Sequence, residues 1–302
     1  MLNFLKRRKT LSLLLGLLAV YLIGHAFLTP PEKPVDIRVG SKNFTESIIL
    51  GELYAQALEQ AGFHVQRKFN LGGTLISHAA IQRGEIDVYP EYTGTGLIDV
   101  LHISPPPNEA DAFRALCDAY QKRWGLRWLQ PASANNSQGL VMLRQQALQR
   151  HIASLSDLAG QARQLKLGSI PEFEEREDGL KGLRKHYGGF RFRQVALYDN
   201  GLKYKVLQRG DVDVTVAFTT DGALTDPNFF LLADDRRFWP AYRVAPVIRV
   251  ETLKAHPALE QVLNRVSATL DTQTLQQLNQ RVDQQKQDYK SVVRHYLAGG
   301  SP

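Results

Sequence analysis

The chain has 302 residues and a single cysteine, Cys117, and 43% of its residues are hydrophobic. A chain of this length exceeds a typical single core and fits two domains of about 100–150 residues each, while the lone cysteine excludes an intramolecular disulfide. Four basic residues at positions 6–9 supply part of the formal charge of +7, and the remainder is too small and too evenly mixed with acids to indicate a nucleic-acid partner.

The first thirty residues have the layout of an export signal. A basic cluster at residues 6–9 precedes a mostly apolar run at residues 11–28, which is typical of a signal peptide. The apolar run also approaches the length that crosses a bilayer. Two interpretations of residues 1–30 therefore stay open, a cleaved signal peptide and a retained anchor in the inner membrane, and both predict an exported, periplasmic protein.

After a proline-containing linker, the chain alternates strands and helices. The pattern predicts strands at Ile37–Gly40, 65–69 and 86–89, a first helix that Thr45 caps, and a second helix at residues 74–83. This βαβαβ order builds a parallel sheet. Ligands of such sheets bind beyond the carboxyl ends of the strands.

The second half of the chain repeats this order. It predicts strands at residues 165–169 and 190–195 with a helix at 177–186 between them, and a further helix at 201–208. From Val250 onward the pattern is mostly helical. The similarity of the two halves predicts two lobes of similar construction.

One short stretch occurs in both halves. Residues 84–96 read Gly-Glu-Ile-Asp-Val-Tyr-Pro-Glu-Tyr-Thr-Gly-Thr-Gly, and residues 210–222 read Gly-Asp-Val-Asp-Val-Thr-Val-Ala-Phe-Thr-Thr-Asp-Gly. Each copy places one aromatic ring, Tyr92 or Phe218, in the loop that follows a predicted strand. Two rings on equivalent loops predict a binding cleft between two lobes.

Several spaced motifs carry a family resemblance. The chain reads Val-Gly-Ser-Lys-Asn-Phe-Thr-Glu-Ser-Ile-Ile-Leu-Gly-Glu-Leu at residues 39–53, Tyr-Pro-Glu-Tyr-Thr-Gly-Thr at 89–95, Pro-Glu-Phe at 171–173 followed by Arg176 and by Asp-Gly-Leu at 178–180, Thr-Asp-Gly at 220–222 and Tyr-Arg-Val-Ala-Pro-Val at 242–247. From about residue 36 to 297, this order resembles the glycine betaine, choline and related osmoprotectant-binding proteins of ABC importers.

The resemblance implies a type II periplasmic-binding-protein fold. This is a two-lobed α/β fold in which each lobe is a mainly parallel sheet flanked by helices, and the ligand lies in the cleft between the lobes. The expected first lobe is discontinuous and comprises residues 36–134 and 239–298. The expected second lobe comprises residues 135–238.

The resemblance also implies a binding site for a quaternary ammonium head. Such a head carries charge but no N–H group, so aromatic faces attract it where hydrogen bonds cannot. The implied residues come from both lobes, so ligand binding is expected to couple to lobe closure. The cage positions of the family fall on Tyr92, Gln138, Phe218 and Tyr242, and its carboxylate-binding positions fall on Lys42, Thr95 and Arg176.

Two cage positions depart from the family pattern. Gln138 lies where the family usually carries a tyrosine, and Phe218 lacks the usual hydroxyl. Loss of one ring weakens binding of a quaternary amine by about 0.5–2 kcal/mol, or about 2- to 30-fold. The Gln138 amide offers hydrogen bonds to a hydroxyl or an N–H group, so choline derivatives, a less methylated amine and a bulkier betaine stay open as ligands.

The implied function is capture of a quaternary-ammonium compatible solute, such as glycine betaine, choline or a related betaine, for an ABC importer. We expect no enzymatic activity, cofactor or metal, and we expect a small zwitterionic or cationic solute and a permease with its ATPase as partners. The alternatives are a ligand sensor, a binding protein for another small zwitterion and, less favoured, a transferase-like enzyme using Asp87 or Glu91. The histidines show no close pair at metal-ligand spacing.

Overall fold

The computed structural model describes residues 37–302. The predicted signal peptide or membrane anchor, residues 1–30, lies outside the described residues. Within the part of the chain that the structure describes, no helix is both long enough and apolar enough to cross a membrane.

The described chain forms two five-stranded sheets with the same plan. The strands of the first sheet are β1 (Ile37–Gly40), β2 (Val65–Lys68), β3 (Val88–Tyr92), β4 (Leu126–Trp128) and β10 (Val244–Arg249), in the spatial order β2-β1-β3-β10-β4. The strands of the second sheet are β5 (Gln138–Leu143), β6 (Lys166–Ser169), β7 (Gln194–Leu197), β8 (Val214–Phe218) and β9 (Phe229–Leu231), in the spatial order β7-β6-β8-β5-β9.

Each sheet is mixed. In the first sheet β1 pairs in parallel with β2 and β3, whereas β10 pairs antiparallel with β3 and β4. In the second sheet β6 pairs in parallel with β7 and β8, whereas β5 pairs antiparallel with β8 and β9. The parallel half of each sheet matches the predicted βαβαβ order, and the antiparallel half forms because β5 and β10 enter their sheets from the opposite direction.

Helices cover the two sheets. They are α1 (Thr45–Gln60), α2 (Thr74–Gln82), α3 (Glu109–Trp124), α4 (Arg144–Gln149), α5 (Leu155–Gln161), α6 (Pro171–Glu175), α7 (Leu180–Tyr187), α8 (Lys203–Arg209), α9 (Val250–Ala255), α10 (Ala258–Ala268), α11 (Thr272–Asp283) and α12 (Tyr289–Leu297). A helical turn at Thr93–Thr95 and a π-helix at Gly96–Val100 follow β3. Short 3-10 turns occur at Ala162–Gln164 and Gly222–Thr225. We call the first sheet and its helices the first lobe, and the second sheet and its helices the second lobe.

The ends of α3 show why local sequence fixes these helices. The Asn108 side chain accepts hydrogen bonds from the backbone N–H groups of Ala110 and Asp111, which satisfies donors that the first helical turn leaves free. At the other end, Gly125 adopts a left-handed φ of 63° that glycine tolerates without a steric penalty.

The C-terminal helices contact both lobes. Helices α10, α11 and α12 pack against α1 of the first lobe, and α11 also packs against the 3-10 turn Gly222–Thr225 of the second lobe. The approach is close, because a β-carbon at Gly222 would lie 2.4 Å from the backbone nitrogen of Gln280. Only glycine fits the chain at this contact.

Some local predictions are wrong. The strand predicted at residues 86–89 is instead Val88–Tyr92, so Tyr92, like Phe218 in β8, ends a strand and does not lie in the loop after it. Thr45 does not cap α1, since the residue before the helix is Phe44 with no side-chain cap, and the Thr45 hydroxyl donates instead to Asp283 at 2.6 Å. The strand predicted at residues 190–195 begins only at Gln194, because Phe190 takes a left-handed φ of 61° that is incompatible with a strand.

Candidate ligand-binding site

A cavity of about 460 Å³ lies between the two lobes. Its walls come from the carboxyl ends of β1, β2, β3, β6, β7 and β8 with the residues that follow them, and from the residues at the start of β5 and β10. This is the edge where ligands of parallel strands are expected. The seven residues predicted from the sequence all line it: Lys42, Tyr92, Thr95, Gln138, Arg176, Phe218 and Tyr242. The size is within the range of small-molecule sites, about 300–1,000 Å³.

Tyr92 forms part of the first-lobe wall at the end of β3. Its ring stacks on Phe44 with 6.2 Å between ring centroids, and its hydroxyl donates to Glu46 Oε1 at 2.7 Å. Burial, together with the negative charge of Glu46, raises the pKa of Tyr92 well above its usual value. The hydroxyl therefore stays protonated and acts as a donor.

Tyr242 lines the cavity from the chain segment that leads into β10. It is 2% exposed, and its hydroxyl donates to Asp178 Oδ2. The loop glycine Gly94 packs on the ring so closely that a β-carbon there would lie 2.6 Å from Tyr242 Cε1. The glycine of the Thr-Gly-Thr motif thus leaves room for this ring.

Phe218 forms the second-lobe wall at the end of β8. Its backbone N–H donates to Asp221 Oδ2 at 2.8 Å. Lys203 Nζ lies 4.4 Å from the ring centroid and 2.7 Å from the same Asp221 carboxylate. The ammonium group therefore contacts the ring as part of an ion pair.

Lys42 and Thr95 line the first-lobe side of the cavity, and both are buried. Lys42 Nζ lies 2.5 Å from Glu91 Oε1 and donates to the Thr74 hydroxyl at 3.0 Å. Burial lowers the pKa of Lys42, and the Glu91 carboxylate opposes this shift. The ammonium group is therefore already paired inside the protein.

Arg176 lines the second-lobe side and is likewise paired. Its guanidinium donates to both oxygens of Asp178, at 2.7 and 2.6 Å, and to Asp99 Oδ2 at 2.5 Å. Because Asp99 follows β3 in the first lobe, this arginine connects the lobes across the cavity. A carboxylate on a ligand would have to share Arg176 with two protein carboxylates.

Gln138 supplies a polar part of the wall. It begins β5 and is 7% exposed, and its Nε2 donates to the Asp178 carbonyl oxygen at 3.3 Å. The indole N–H of Trp239 donates to the same carbonyl at 2.8 Å. The amide therefore lies where the resemblance implies a ring.

Sequence reasoning missed several residues of the site. Phe44, Phe173 and Tyr198 add three more rings to the cavity wall. Phe44 and Tyr198 follow the carboxyl ends of β1 and β7 closely, so the parallel-sheet rule alone was a signal for them. Glu46, Asp99 and Asp178 were not predicted because their roles depend on contacts with distant residues.

A comparison with known proteins identifies the family. Residues 35–299 match the model of the substrate binding domain of the ABC-type glycine betaine transport system. The chain belongs to this family. Its members are extracytoplasmic substrate-binding proteins of ABC importers and not enzymes, and the predicted two-lobed α/β fold is confirmed.

Individual relatives agree with the family. The chain is 35% identical to a glycine-betaine-binding protein of Pseudomonas aeruginosa over 86% of each chain. It is 32% identical to the ergothioneine transport permease/ergothioneine binding protein EgtU of Helicobacter pylori, over 97% of this chain and 53% of that one, so it spans about half the length of this relative. A solved structure described as a glycine betaine/carnitine/choline ABC transporter has a TM-score of 0.74 and 26% identity, over 87% of this chain and 98% of that chain.

Proposed function

We propose that this protein captures a quaternary-ammonium compatible solute in the cavity between its lobes and delivers it to an ABC importer. One observation carries the proposal: Tyr92 and Tyr242 line a single cavity together with Phe218 of the second lobe. Rings converging from both lobes give a methylated cation the attraction that it cannot obtain from hydrogen bonds. Contact with both lobes at once favours the closed state.

The polar side of the cavity would bind the rest of the solute. Lys42, Thr95 and Arg176 are the candidates for binding a ligand carboxylate. The two basic residues among them, Lys42 and Arg176, already contact protein carboxylates at 2.5–2.7 Å. A zwitterion such as glycine betaine would accept hydrogen bonds from these groups alongside the protein carboxylates.

A bulkier betaine is the second candidate. The observation that favours it is the polar lining, in which Gln138 replaces a ring and Asn136 and Asn200 add further amides. Such amides suit a solute with N–H or hydroxyl groups beyond its trimethylammonium head. A relative that matches 97% of this chain is named for ergothioneine binding.

The proposed location is the periplasm, with residues 1–30 acting either as a cleaved signal peptide or as an anchor in the inner membrane. The proposed partners are a permease subunit and its ATPase, because the family consists of substrate-binding domains of ABC transport systems.

Isothermal titration calorimetry tests the function with glycine betaine, choline, carnitine, proline betaine and ergothioneine. We expect at least one to bind, and a ligand at about 100 times its Kd to stabilise the protein by about 2.7 kcal/mol in thermal unfolding. Absence of binding across the whole panel would contradict the proposal.

A substitution in the second-lobe wall tests the site. Phe218→Ala removes one ring and should weaken the best ligand by about 2- to 30-fold. Phe230→Ala is the matched control, because Phe230 lies on β9 and does not line the cavity. Equal affinity in the Phe218→Ala variant and the wild type would show that Phe218 does not contribute to ligand binding.

A further inference from the structure

A buried carboxyl group lies directly behind the Tyr92 ring. Glu46, in the first turn of α1, is 4% exposed. Its Oε1 accepts hydrogen bonds from the Tyr92 hydroxyl at 2.7 Å and from Asn136 Nδ2 at 2.6 Å, and its Oε2 accepts one from Asn279 Nδ2 at 2.7 Å. Glu46 does not line the cavity itself, but two of its partners, Tyr92 and Asn136, do.

The surroundings of Glu46 suit a carboxylate. Asn279 Nδ2 also lies 2.8 Å from the Thr220 carbonyl oxygen, which only accepts, so the atom facing Glu46 is a donor. Tyr92 likewise donates, since its hydroxyl stays protonated. An ionised carboxylate accepts all of these bonds together with one from the Thr220 side chain.

Glu46 differs from the other carboxylates that hold a ring of the cavity, because no basic side chain within residues 37–302 forms an ion pair with it. A buried charge without a partner is costly and therefore calls for a functional reason. The other carboxylates have partners: Lys42 for Glu91 at 2.5 Å, Arg176 for Asp178 at 2.6 Å and Lys203 for Asp221 at 2.7 Å.

We propose that Glu46 is a specificity-determining positioning residue, whose carboxylate behind Tyr92 makes the cavity prefer a cationic head over an uncharged head of the same shape. The inference rests on the proposed function, since it concerns the same cavity. A hydrogen bond from the phenol to a carboxylate raises the electron density of the ring face that attracts the cation. The bound cation in turn supplies the positive charge that Glu46 lacks.

Lys42, which lies near the Tyr92 ring, does not supply the positive charge that Glu46 lacks. Lys42 Nζ lies 5.3 Å from the Tyr92 ring centroid, but it is bonded to the Glu91 carboxylate at 2.5 Å. The pair is close to neutral when viewed from the cavity. Among the described residues that hold the Tyr92 ring, Glu46 therefore remains the carboxylate with no basic partner.

The test compares ligands of one shape that carry either a cationic or an uncharged head. Choline and glycine betaine are each titrated beside a carbon isostere, in which a tert-butyl group replaces the trimethylammonium group. Glu46→Gln should weaken the cationic member that the wild type binds by about tenfold and leave its isostere unchanged within error. A purely structural role would weaken both members of the pair equally, and that result, or no change in either, overturns the inference.

A second variant keeps the inference testable if Glu46→Gln does not fold. Tyr92→Phe removes the hydroxyl and keeps the ring, so it should reduce the preference for the cationic member. Tyr187→Phe is the matched control, because the Tyr187 hydroxyl donates to Asp234 at 2.6 Å and does not line the cavity. Equal preference in both variants overturns the inference, whereas a wild type that binds no ligand of the panel contradicts the proposed function instead.

Discussion

In the first lobe, the backbone N–H of Tyr92 donates to the Glu91 carboxylate, which pairs with Lys42. In the second lobe, the backbone N–H of Phe218 donates to the carboxylate of Asp221, a residue that also pairs with a buried lysine. The two repeated stretches therefore hold equivalent rings with equivalent ion pairs.

The carboxylates come from different places in the repeat. Glu91 precedes its ring by one residue, whereas Asp221 follows its ring by three. The structure has thus preserved the position of the ring and its support, but not the residue that provides the support. Of these two rings, Tyr92 has the hydroxyl, and it donates to Glu46, which forms no ion pair within residues 37–302.

Breaking the first-lobe ion pair should have the largest effect. Lys42→Met leaves Glu91, which is fully buried, without its counter-ion, and should lower the free energy of unfolding by about 3–5 kcal/mol. Urea denaturation measures this. Lys68→Met is the control, since Lys68 is exposed at the end of β2, and an equal loss in both variants would contradict the comparison.

Breaking the second-lobe ion pair should cost less. Lys203→Met leaves Asp221 with its bonds from Phe218 and Tyr204, and the Asp221 side chain is 20% exposed to water. We expect a loss of about 1–3 kcal/mol in the same denaturation experiment. Lys205→Met, an exposed position on the same helix, should change little. A loss larger than that of Lys42→Met would reverse the order of the two lobes.

The pH dependence of stability isolates Glu46. Burial raises the pKa of Glu46, and hydrogen bonds from the four polar side chains around it oppose the shift. The folded state therefore binds a proton more tightly than the unfolded chain, so the contribution of this group is full below the unfolded pKa of about 4.3 and is lost as pH rises through the folded pKa. The bonded Tyr92 does not titrate in this window.

The expected result is a shift between two unfolding curves. The Glu46→Gln variant has no titrating group at position 46. Relative to this variant, the wild type should become more stable as pH falls from about 8 to about 4.5. Thermal unfolding of both proteins across this range measures the difference. Parallel curves would show that Glu46 has an ordinary pKa.

The sequence predicted the parts of the site that follow a strand. Tyr92 and Phe218 lie at strand ends, and the parallel-sheet rule places such residues at one edge. The structure brings all seven predicted residues to one cavity, while their individual roles toward a ligand stay predictions. The predicted lobe boundaries also stay predictions. The strands of the first sheet lie within residues 36–134 and 239–298, and those of the second sheet lie within residues 135–238.

The sequence did not predict how the charges are paired. Arg176 was predicted to bind a ligand carboxylate, and the structure adds a contact with Asp99, a residue 77 positions earlier in the chain. Thr45 has the residue type of a helix cap, yet its hydroxyl bonds to Asp283, 238 positions later. A local sequence pattern does not identify such a partner, because it is equally compatible with an acidic residue anywhere else in the chain.

By itself, the sequence determined the alternation of strands and helices, the duplication of a ring-bearing loop and the family of the protein. These depend on hydrophobic periodicity and on short motifs, which act over a few residues. Only the tertiary structure decided what lies behind each ring. Glu46 contacts Asn279 across 233 residues of chain, and this contact forms only because helix α11 packs against α1.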